Sequence, residues 1–188
     1  MSPGSKTPKL EGAIGVRPAA ALIARAHPHG LPQIRLLKLL WLAELRYYER
    51  TGNRLTSAGW WRWDFGPYSK DVINTVKREG KWFRIEKPSD PTQRGLVIHA
   101  ALGARPGGRN AEGATVIDEV LRLYQKYTDE ELVQEVYADP FFEETAYSSD
   151  FDFSRLTEYR RTLPLPEQER LLRLPTKPAP DIASLFAP

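Results

Sequence analysis

A long amphipathic segment that begins after Pro32 constrains the fold of this chain more than any other feature. Its apolar side chains recur at steps of three and four residues, the period of one helical face: Ile34, Leu37, Trp41, Leu45 and Tyr48. Four more widen this face to over half of the circumference: Leu36, Leu40, Ala43 and Tyr47. Such a helix must be covered on several sides. We therefore predict a central helix, with Arg35, Arg46 and Arg50 facing outward and a C-terminal stop at Gly52.

The segments on either side of this helix carry helical signals of their own. Residues 16–26 are rich in alanine and have Pro18 in the first turn, which predicts a helix. After the central helix, Pro67 or Ser69 is placed to begin another helix, which Gly80 ends.

Two short runs with β propensity follow, at 82–86 and 95–99. The turn-forming segment 88–91 lies between them and predicts a hairpin. A helix followed by a hairpin resembles the wing of a winged-helix unit. Beyond a Gly-rich loop at 103–110, we predict a helix to about Tyr127. A second helix begins at a capping box formed by Thr128 and Glu131, and short helices are predicted near 154–162 and 166–174.

Composition limits the class of protein. The chain has 188 residues, 41% of them hydrophobic, which is enough for one good core. No apolar run reaches the ~18 residues of a membrane span, and the polar N-terminus is unlike a signal peptide. The absence of cysteine excludes a disulfide framework. We therefore expect a cytoplasmic protein without a membrane partner.

The predicted architecture is mainly α: a compact helical domain with a small, winged-helix-like β-hairpin. We expect residues 1–15 to form a flexible N-terminal arm, 16–174 a single helical domain, and 175–188 a disordered Pro-rich tail.

Charge is distributed unevenly along the chain. Residues 1–109 hold 19 Lys and Arg against 8 Asp and Glu, whereas residues 110–188 hold 8 against 16. The segment 128–158 is the extreme, with ten acidic side chains opposed by Arg155 alone. Such a chain can neutralise itself by folding one half onto the other. Alternatively, it can present a basic face to nucleic acid or an acidic face to a basic protein.

Few sequence features support catalysis or a bound cofactor. His27 and His29 form a His-x-His pair and His99 lies on the predicted hairpin, so a three-histidine metal site is conceivable. Loop and surface histidines nevertheless explain this pattern without a metal. The Asp-Phe-Gly tripeptide that begins at Asp64 matches a kinase motif, but the chain lacks the other kinase signatures. We predict that the protein is not an enzyme and has no cofactor.

An aromatic cluster precedes the predicted hairpin: Trp60, Trp61, Trp63, Phe65 and Tyr68. Most of these rings suit a core, but three Trp in four positions cannot all face inward on one regular element. Exposed Trp, Tyr and Arg are typical of binding hot spots. We predict Trp61 as the exposed ring, because Trp60 and Trp63 would share a helical face. The candidate partner-binding residues are Trp61, Arg62, Phe65 and Tyr68.

Five short motifs occur in order over about residues 31–153. They are Lys38-Leu39-Leu40-Trp41, Gly52 with Leu55, Trp63 with Gly66 and Pro67, Tyr137 with Pro140, and Asp152-Phe153. Together they resemble the Panacea domain, also described as the SocA-like antitoxin domain. The resemblance implies that these signature residues mark the scaffold of a mainly helical domain and do not themselves contact a toxin.

The resemblance also implies an antitoxin that neutralises a cognate toxin, encoded by an adjacent gene, through direct protein contact. One branch of the family delivers its toxin to a protease, so a Clp-type protease is a further candidate partner. The alternative is a winged-helix-like transcriptional regulator that binds operator DNA. Its candidate contacts are basic residues of the helix and hairpin: Lys70, Lys77, Arg78, Arg84, Lys87 and Arg94.

Overall fold

A computed structural model describes residues 12–89, 95–102 and 111–162 of the chain. The helices are α1 (Val16–Arg25), α2 (Gln33–Thr51), α3 (Lys70–Arg78), α4 (Ala111–Leu123), α5 (Asp129–Tyr137), α6 (Pro140–Glu144) and α7 (Leu156–Thr162), with a 3-10 turn at Phe153–Arg155. The strands are β1 (Leu31–Pro32), β2 (Trp61–Trp63), β3 (Gly66–Tyr68), β4 (Phe83–Glu86) and β5 (Val97–Ala100). The prediction of a mainly helical fold with a small antiparallel sheet is confirmed.

Helix α2 lies at the centre of the core, as its wide apolar face predicted. It contacts α1, α4, α5 and both β1 and β3. Its C-terminal stop is also confirmed, because Gly52 adopts the left-handed conformation at φ 68° and its N–H donates to the Tyr48 carbonyl. Leu39, outside the predicted stripe, is buried as well.

Arg35 does not face outward as predicted. Its side chain is only 12% exposed, and its guanidinium donates to the carbonyls of Tyr124 and Tyr127 and to the carboxylate of Asp129. Arg35 therefore joins the first turn of α2 to the turn between α4 and α5, where it donates to two backbone carbonyls. Arg46 is partly buried, whereas Arg50 is exposed and pairs with Glu119.

The predicted hairpin is formed by β4 and β5, and β1 extends it to a three-stranded antiparallel sheet. Ile98 of β5 pairs with Ile85 of β4 on one side and with Leu31 of β1 on the other. Strand β1 has two residues that run directly into α2, so no alternating pattern predicted it. The strand order of this sheet is β1–β5–β4, and α2 and α3 lie between β1 and β4 in the chain. This arrangement agrees with the predicted winged-helix-like element.

A second hairpin, β2–β3, lies between α2 and α3. Trp61 pairs with Tyr68, and Trp63 pairs with Gly66. Pro67 therefore lies in a strand and does not begin α3, because the backbone still pairs across the hairpin there. The N-cap of α3 is Ser69, whose hydroxyl accepts a hydrogen bond from the Val72 N–H at 3.3 Å.

The C-terminal half contains both confirmed and unpredicted elements. The capping box of Thr128 and Glu131 is present, with both reciprocal hydrogen bonds. The predicted helix at 154–162 corresponds to the 3-10 turn and α7, whereas α4 ends at Leu123, earlier than predicted. Helix α6 was not predicted. Its first residue is Pro140, and its N-cap Asp139 accepts a hydrogen bond from the Phe141 N–H.

Some predicted segments lie outside the described residues: most of the N-terminal arm, the loop at 103–110, the helix at 166–174 and the tail at 175–188. Part of the predicted arm is described. The N–H groups of Ala13 and Ile14 donate to the carbonyls of Arg54 and Leu55, and Ile14 is buried. The packed structure therefore begins before Val16. None of the helices in the described segments is both long and apolar enough to cross a membrane.

Candidate functional site

Motif residues that are distant in sequence meet around the side chain of Lys38. This lysine of α2 is 2% exposed, and its Nζ donates to the Pro67 carbonyl at 3.2 Å. Gly66 has φ 91°, and a Cβ there would lie 2.8 Å from that Nζ, so only glycine fits. The Tyr137 hydroxyl donates to the carbonyl of Asp64. These contacts fix the β2–β3 hairpin between α2 and α5.

The lysine sits in this cluster as an interior hydrogen-bond donor. Burial lowers the pKa of Lys38 to about 7. Among the described residues, no salt bridge links it to a carboxylate. A substantial fraction of the amine is therefore neutral near pH 7, a state that buries at much lower cost than an ammonium.

Glu44, which sequence reasoning missed, holds the motif that contains Gly52 and Leu55. Its buried carboxylate accepts hydrogen bonds at 3.1 Å from the N–H groups of Leu55 and Thr56, and one from the Thr56 hydroxyl. Arg54 donates to it at 3.3 Å. Burial raises the pKa of Glu44, and the Arg54 charge opposes that shift. The sequence signal that could have revealed this site is a carboxylate on the apolar face of α2, because a buried acid needs hydrogen-bond donors or a positive charge beside it.

Other signature residues form an aromatic core. The Trp41 ring lies 4.4 Å from Phe151, 5.4 Å from Phe153 and 5.5 Å from Trp60, between ring centroids. Asp152 caps the following 3-10 turn by accepting a hydrogen bond from the Ser154 N–H at 3.0 Å. Trp41 and Phe153 are therefore packed in the core, where their rings contact one another.

Trp63 is the signature residue that departs from this pattern, because its side chain is 46% exposed. We predicted Trp61 as the exposed ring, but Trp61 is partly buried, and its ring lies against Gly59. The prediction failed because the segment is a strand and not a helix. Trp63 lies beside the turn of the hairpin, whereas Trp61, at the other end of β2, pairs with Tyr68 and bridges to Asp150.

Arg62, a candidate for partner binding, is directed into the protein. Its guanidinium donates at 2.6 Å to the carbonyls of Glu143 and Thr145, and lies 4.8 Å from the ring centroid of Phe142. Its backbone also pairs with the segment at 148–149. Arg62 therefore positions the 143–149 segment beside β2. Tyr68, the fourth candidate, is partly buried in β3.

The exposed aromatic residues of the described segments are concentrated at one place. Trp63 stacks on Tyr147 with ring centroids 5.8 Å apart and planes 25° apart. The Tyr147 hydroxyl donates to Oδ1 of Asp64 at 2.8 Å. Phe65, 39% exposed, belongs to the same turn as Asp64. We refer to Trp63, Asp64, Phe65 and Tyr147 as the aromatic shelf.

A groove of about 320 Å³ lies close to the aromatic shelf, because two of its lining residues, Ala146 and Ser149, stand one position before and two positions after Tyr147. Aromatic rings of Phe141 and Tyr159 line the groove together with four charged residues: Glu144, Asp150, Asp152 and Arg155. Burial and a hydrogen bond to Glu144 raise the pKa of Tyr159 to about 12. The groove therefore combines apolar walls with a net negative charge.

The basic residues proposed for DNA contact lie on α3 and the wing. Lys70, Lys77 and Arg78 are exposed on α3, and Arg84 and Lys87 are exposed at β4. Arg84 pairs with Glu86 at 3.2 Å, which reduces its effective charge. Arg94 lies outside the described residues.

His27 has a structural environment. Its Nδ1 is 2.8 Å from the Ile23 carbonyl, and Arg35 donates from Nε to its Nε2 at 3.3 Å, so the ring is neutral. Burial lowers the pKa of His27. Within residues 12–89, 95–102 and 111–162, no group of three His, Asp or Glu side chains is arranged to hold a metal ion.

The described residues form a mainly helical protein with a winged-helix-like sheet and exposed aromatic residues. The family model described as "Antitoxin SocA-like, Panacea domain" matches residues 36–140, more than half of the chain. The chain belongs to this family, as the motif series predicted. No curated protein and no solved structure matches the chain. Membership supports an antitoxin role and implies a toxin as the partner.

Proposed function

We propose that this protein neutralises a cognate toxin by binding it directly and covering the surface that the toxin needs for its activity. Membership of the SocA-like Panacea family carries this proposal. The family name points to a regulator that acts without catalysis. The aromatic shelf offers large, rigid side chains of the kind that anchor protein interfaces.

The arrangement of the signature residues is compatible with this role. Lys38, Leu55 and Trp41 are buried and hold the scaffold together. The shelf, in contrast, is formed by exposed side chains at the end of a hairpin. A scaffold of this kind can present different surface residues to different toxins without changing its core.

The test is co-expression with the product of the adjacent gene in a bacterial host. We expect the neighbouring gene alone to stop growth, and the two genes together to restore it, with the two proteins co-purifying. Growth arrest that persists despite soluble expression of this chain would contradict the proposal, as would a harmless neighbour that does not co-purify.

The same strains distinguish occlusion from delivery to a protease. If the protein only covers the toxin, the toxin level stays constant when this chain is co-expressed. If it acts as an adaptor, the toxin level falls, and it recovers in a host that lacks Clp-type proteases.

A second candidate function is binding to operator DNA, which would allow autoregulation. The winged-helix-like order of elements and the exposed cations of α3, Lys70, Lys77 and Arg78, favour it. Binding to the DNA upstream of its own gene should weaken strongly between 50 and 200 mM salt, roughly 10³-fold or more for several phosphate contacts.

The double variant Lys77→Glu/Arg78→Glu should abolish that binding. Lys126→Glu is the matched control, because Lys126 is exposed in the turn after α4. Absence of binding by the wild-type protein at 50 mM salt would eliminate this alternative.

A further inference from the structure

The aromatic shelf is held rigid before any partner arrives. Trp63 and Tyr147 stack on each other, and Tyr147 is hydrogen-bonded to Asp64. The main chain of Asp64 in turn accepts a hydrogen bond from Tyr137. Side chains that are already ordered lose little conformational entropy on binding, so each buried ring contributes more to affinity.

The segment that carries Tyr147 is held in place by hydrogen bonds to Arg62. Arg62 donates to the carbonyls of Glu143 and Thr145, and the Ser148 N–H donates to the Arg62 carbonyl at 2.9 Å. Ser148 has φ 60°, the one positive φ of a non-glycine residue among those described. Such left-handed residues cost free energy, and they cluster at binding sites.

The charge around the shelf and groove has one dominant sign. Among the described residues that form the shelf or line the groove, the exposed carboxylates are Asp64, Glu144, Asp150 and Asp152, and the exposed cation is Arg155. Arg62, whose guanidinium bonds to the backbone carbonyls of Glu143 and Thr145, adds a second positive charge beside this surface, and the sum stays negative. This surface repels nucleic acid and attracts basic protein, and opposite potentials speed association and select the partner.

We infer that the aromatic shelf and the adjacent groove are the toxin-docking surface, and that the docked part of the toxin combines Arg or Lys with apolar side chains. This inference rests on the proposed antitoxin function and adds the location and the chemistry of the contact. The apolar side chains of the toxin cover Trp63, Phe65 and Tyr147. Its cations enter the groove, where Tyr159 offers a partly exposed ring and Asp150 and Asp152 offer carboxylates.

The first test measures growth rescue and affinity for the toxin from the adjacent gene, using the full chain. The double variant Trp63→Ser/Phe65→Ser should lose rescue and bind at least ~30-fold more weakly, as truncation of two hot-spot residues does. The matched control is Ile85→Ser, which removes another exposed hydrophobic side chain, 38% exposed, from β4. Ile85→Ser should rescue as the wild type does, and circular dichroism should show all three proteins folded.

The second test changes charge alone. Asp150→Arg should slow association ~10-fold at low salt and reduce the salt dependence of binding, because steering depends on the local potential. Asp118→Arg, a charge reversal at an exposed position of α4, is its control and should leave association unchanged.

The outcomes separate the two claims. Rescue by the wild type, lost in Trp63→Ser/Phe65→Ser and retained in Ile85→Ser, supports the docking surface. Rescue that survives in Trp63→Ser/Phe65→Ser overturns it and leaves the antitoxin function standing. Failure of the wild type to bind and rescue overturns the proposed function, and the docking surface with it.

Discussion

The side-chain nitrogen of Lys38 lies 3.2 Å from the carbonyl oxygen of Pro67, and this contact joins the second turn of α2 to the β2–β3 hairpin. The same hairpin carries Trp63 and Phe65 at its exposed end. A buried signature residue therefore positions the surface that we assign to the toxin. Changes in the scaffold should alter stability and the presentation of the shelf together.

The ionisation of Lys38 makes stability depend on pH. Folding lowers the pKa of Lys38 from 10.5 to about 7, so between these values the unfolded chain binds more protons than the folded one. The free energy of unfolding should therefore rise from pH 7.5 to 9.5, by up to about 1.4 kcal/mol per pH unit. Lys38→Met should flatten this rise in urea titrations. Lys126→Met, at an exposed lysine, should keep the rise of stability with pH. An unchanged slope in Lys38→Met would contradict the attribution of that rise to Lys38.

Gly66 should not tolerate a side chain. Its φ of 91° disfavours any L residue, and a Cβ would lie 2.8 Å from Nζ and 3.1 Å from Cε of Lys38. Gly66→Ala should lower the free energy of unfolding by about 2 kcal/mol, through backbone strain and displacement of the lysine. Gly80→Ala is the control, because no atom lies within 4 Å of a Cβ there and its φ is not positive. Equal stabilities of the two variants would refute this account.

Removing the carboxylate of Glu44 should loosen the segment after α2. Glu44→Ala leaves the N–H groups of Leu55 and Thr56 and the guanidinium of Arg54 without their acceptor. We expect a loss of about 3–5 kcal/mol, typical of breaking a buried charged pair. Amide hydrogen exchange should show the loss of protection concentrated at 54–56. The exposed Glu158→Ala serves as the comparison, and a similar loss there would argue against a special role for Glu44.

The neutral state of His27 should produce a loss of stability in acid. Burial lowers the pKa of His27 below 6.5, so the folded state disfavours the protonated ring. The free energy of unfolding should fall as the pH drops through about 6.5, because the unfolded chain then binds the extra proton. His27→Gln should show a smaller decrease between pH 7 and 5.5, measured by thermal unfolding. The exposed His29→Gln should follow the wild type, and a wild-type-like curve for His27→Gln would be evidence against this explanation.

Local signals in the sequence predicted much of the helical framework. The apolar period of α2 and the capping box at Thr128 each depend on residues within a few positions, and each was confirmed. Of the two predicted starts of α3, Pro67 and Ser69, the structure has Ser69 as the N-cap. The motif series also identified the family. Two of its residues, Lys38 and Gly66, are in close contact, because a Cβ at position 66 would lie 2.8 Å from the lysine Nζ.

Features that depend on distant partners were missed. Strand β1 is too short to show an alternation of apolar and polar residues, and it forms because Leu31 pairs with Ile98 across the sheet. The exposure of Trp63 in place of Trp61 depends on the hairpin and on Asp150, nearly ninety positions along the chain. The aromatic shelf also depends on the stacking of Tyr147 on Trp63, and no sequence pattern near Trp63 indicates that contact.

One growth measurement decides whether this protein neutralises its toxin by direct contact through the shelf. Cells that express the adjacent gene are plated with the wild-type chain, with Trp63→Ser/Phe65→Ser, or with an empty vector. We expect colonies with the wild type, and none with the double variant or the vector. Growth arrest in the presence of folded wild-type protein would contradict it.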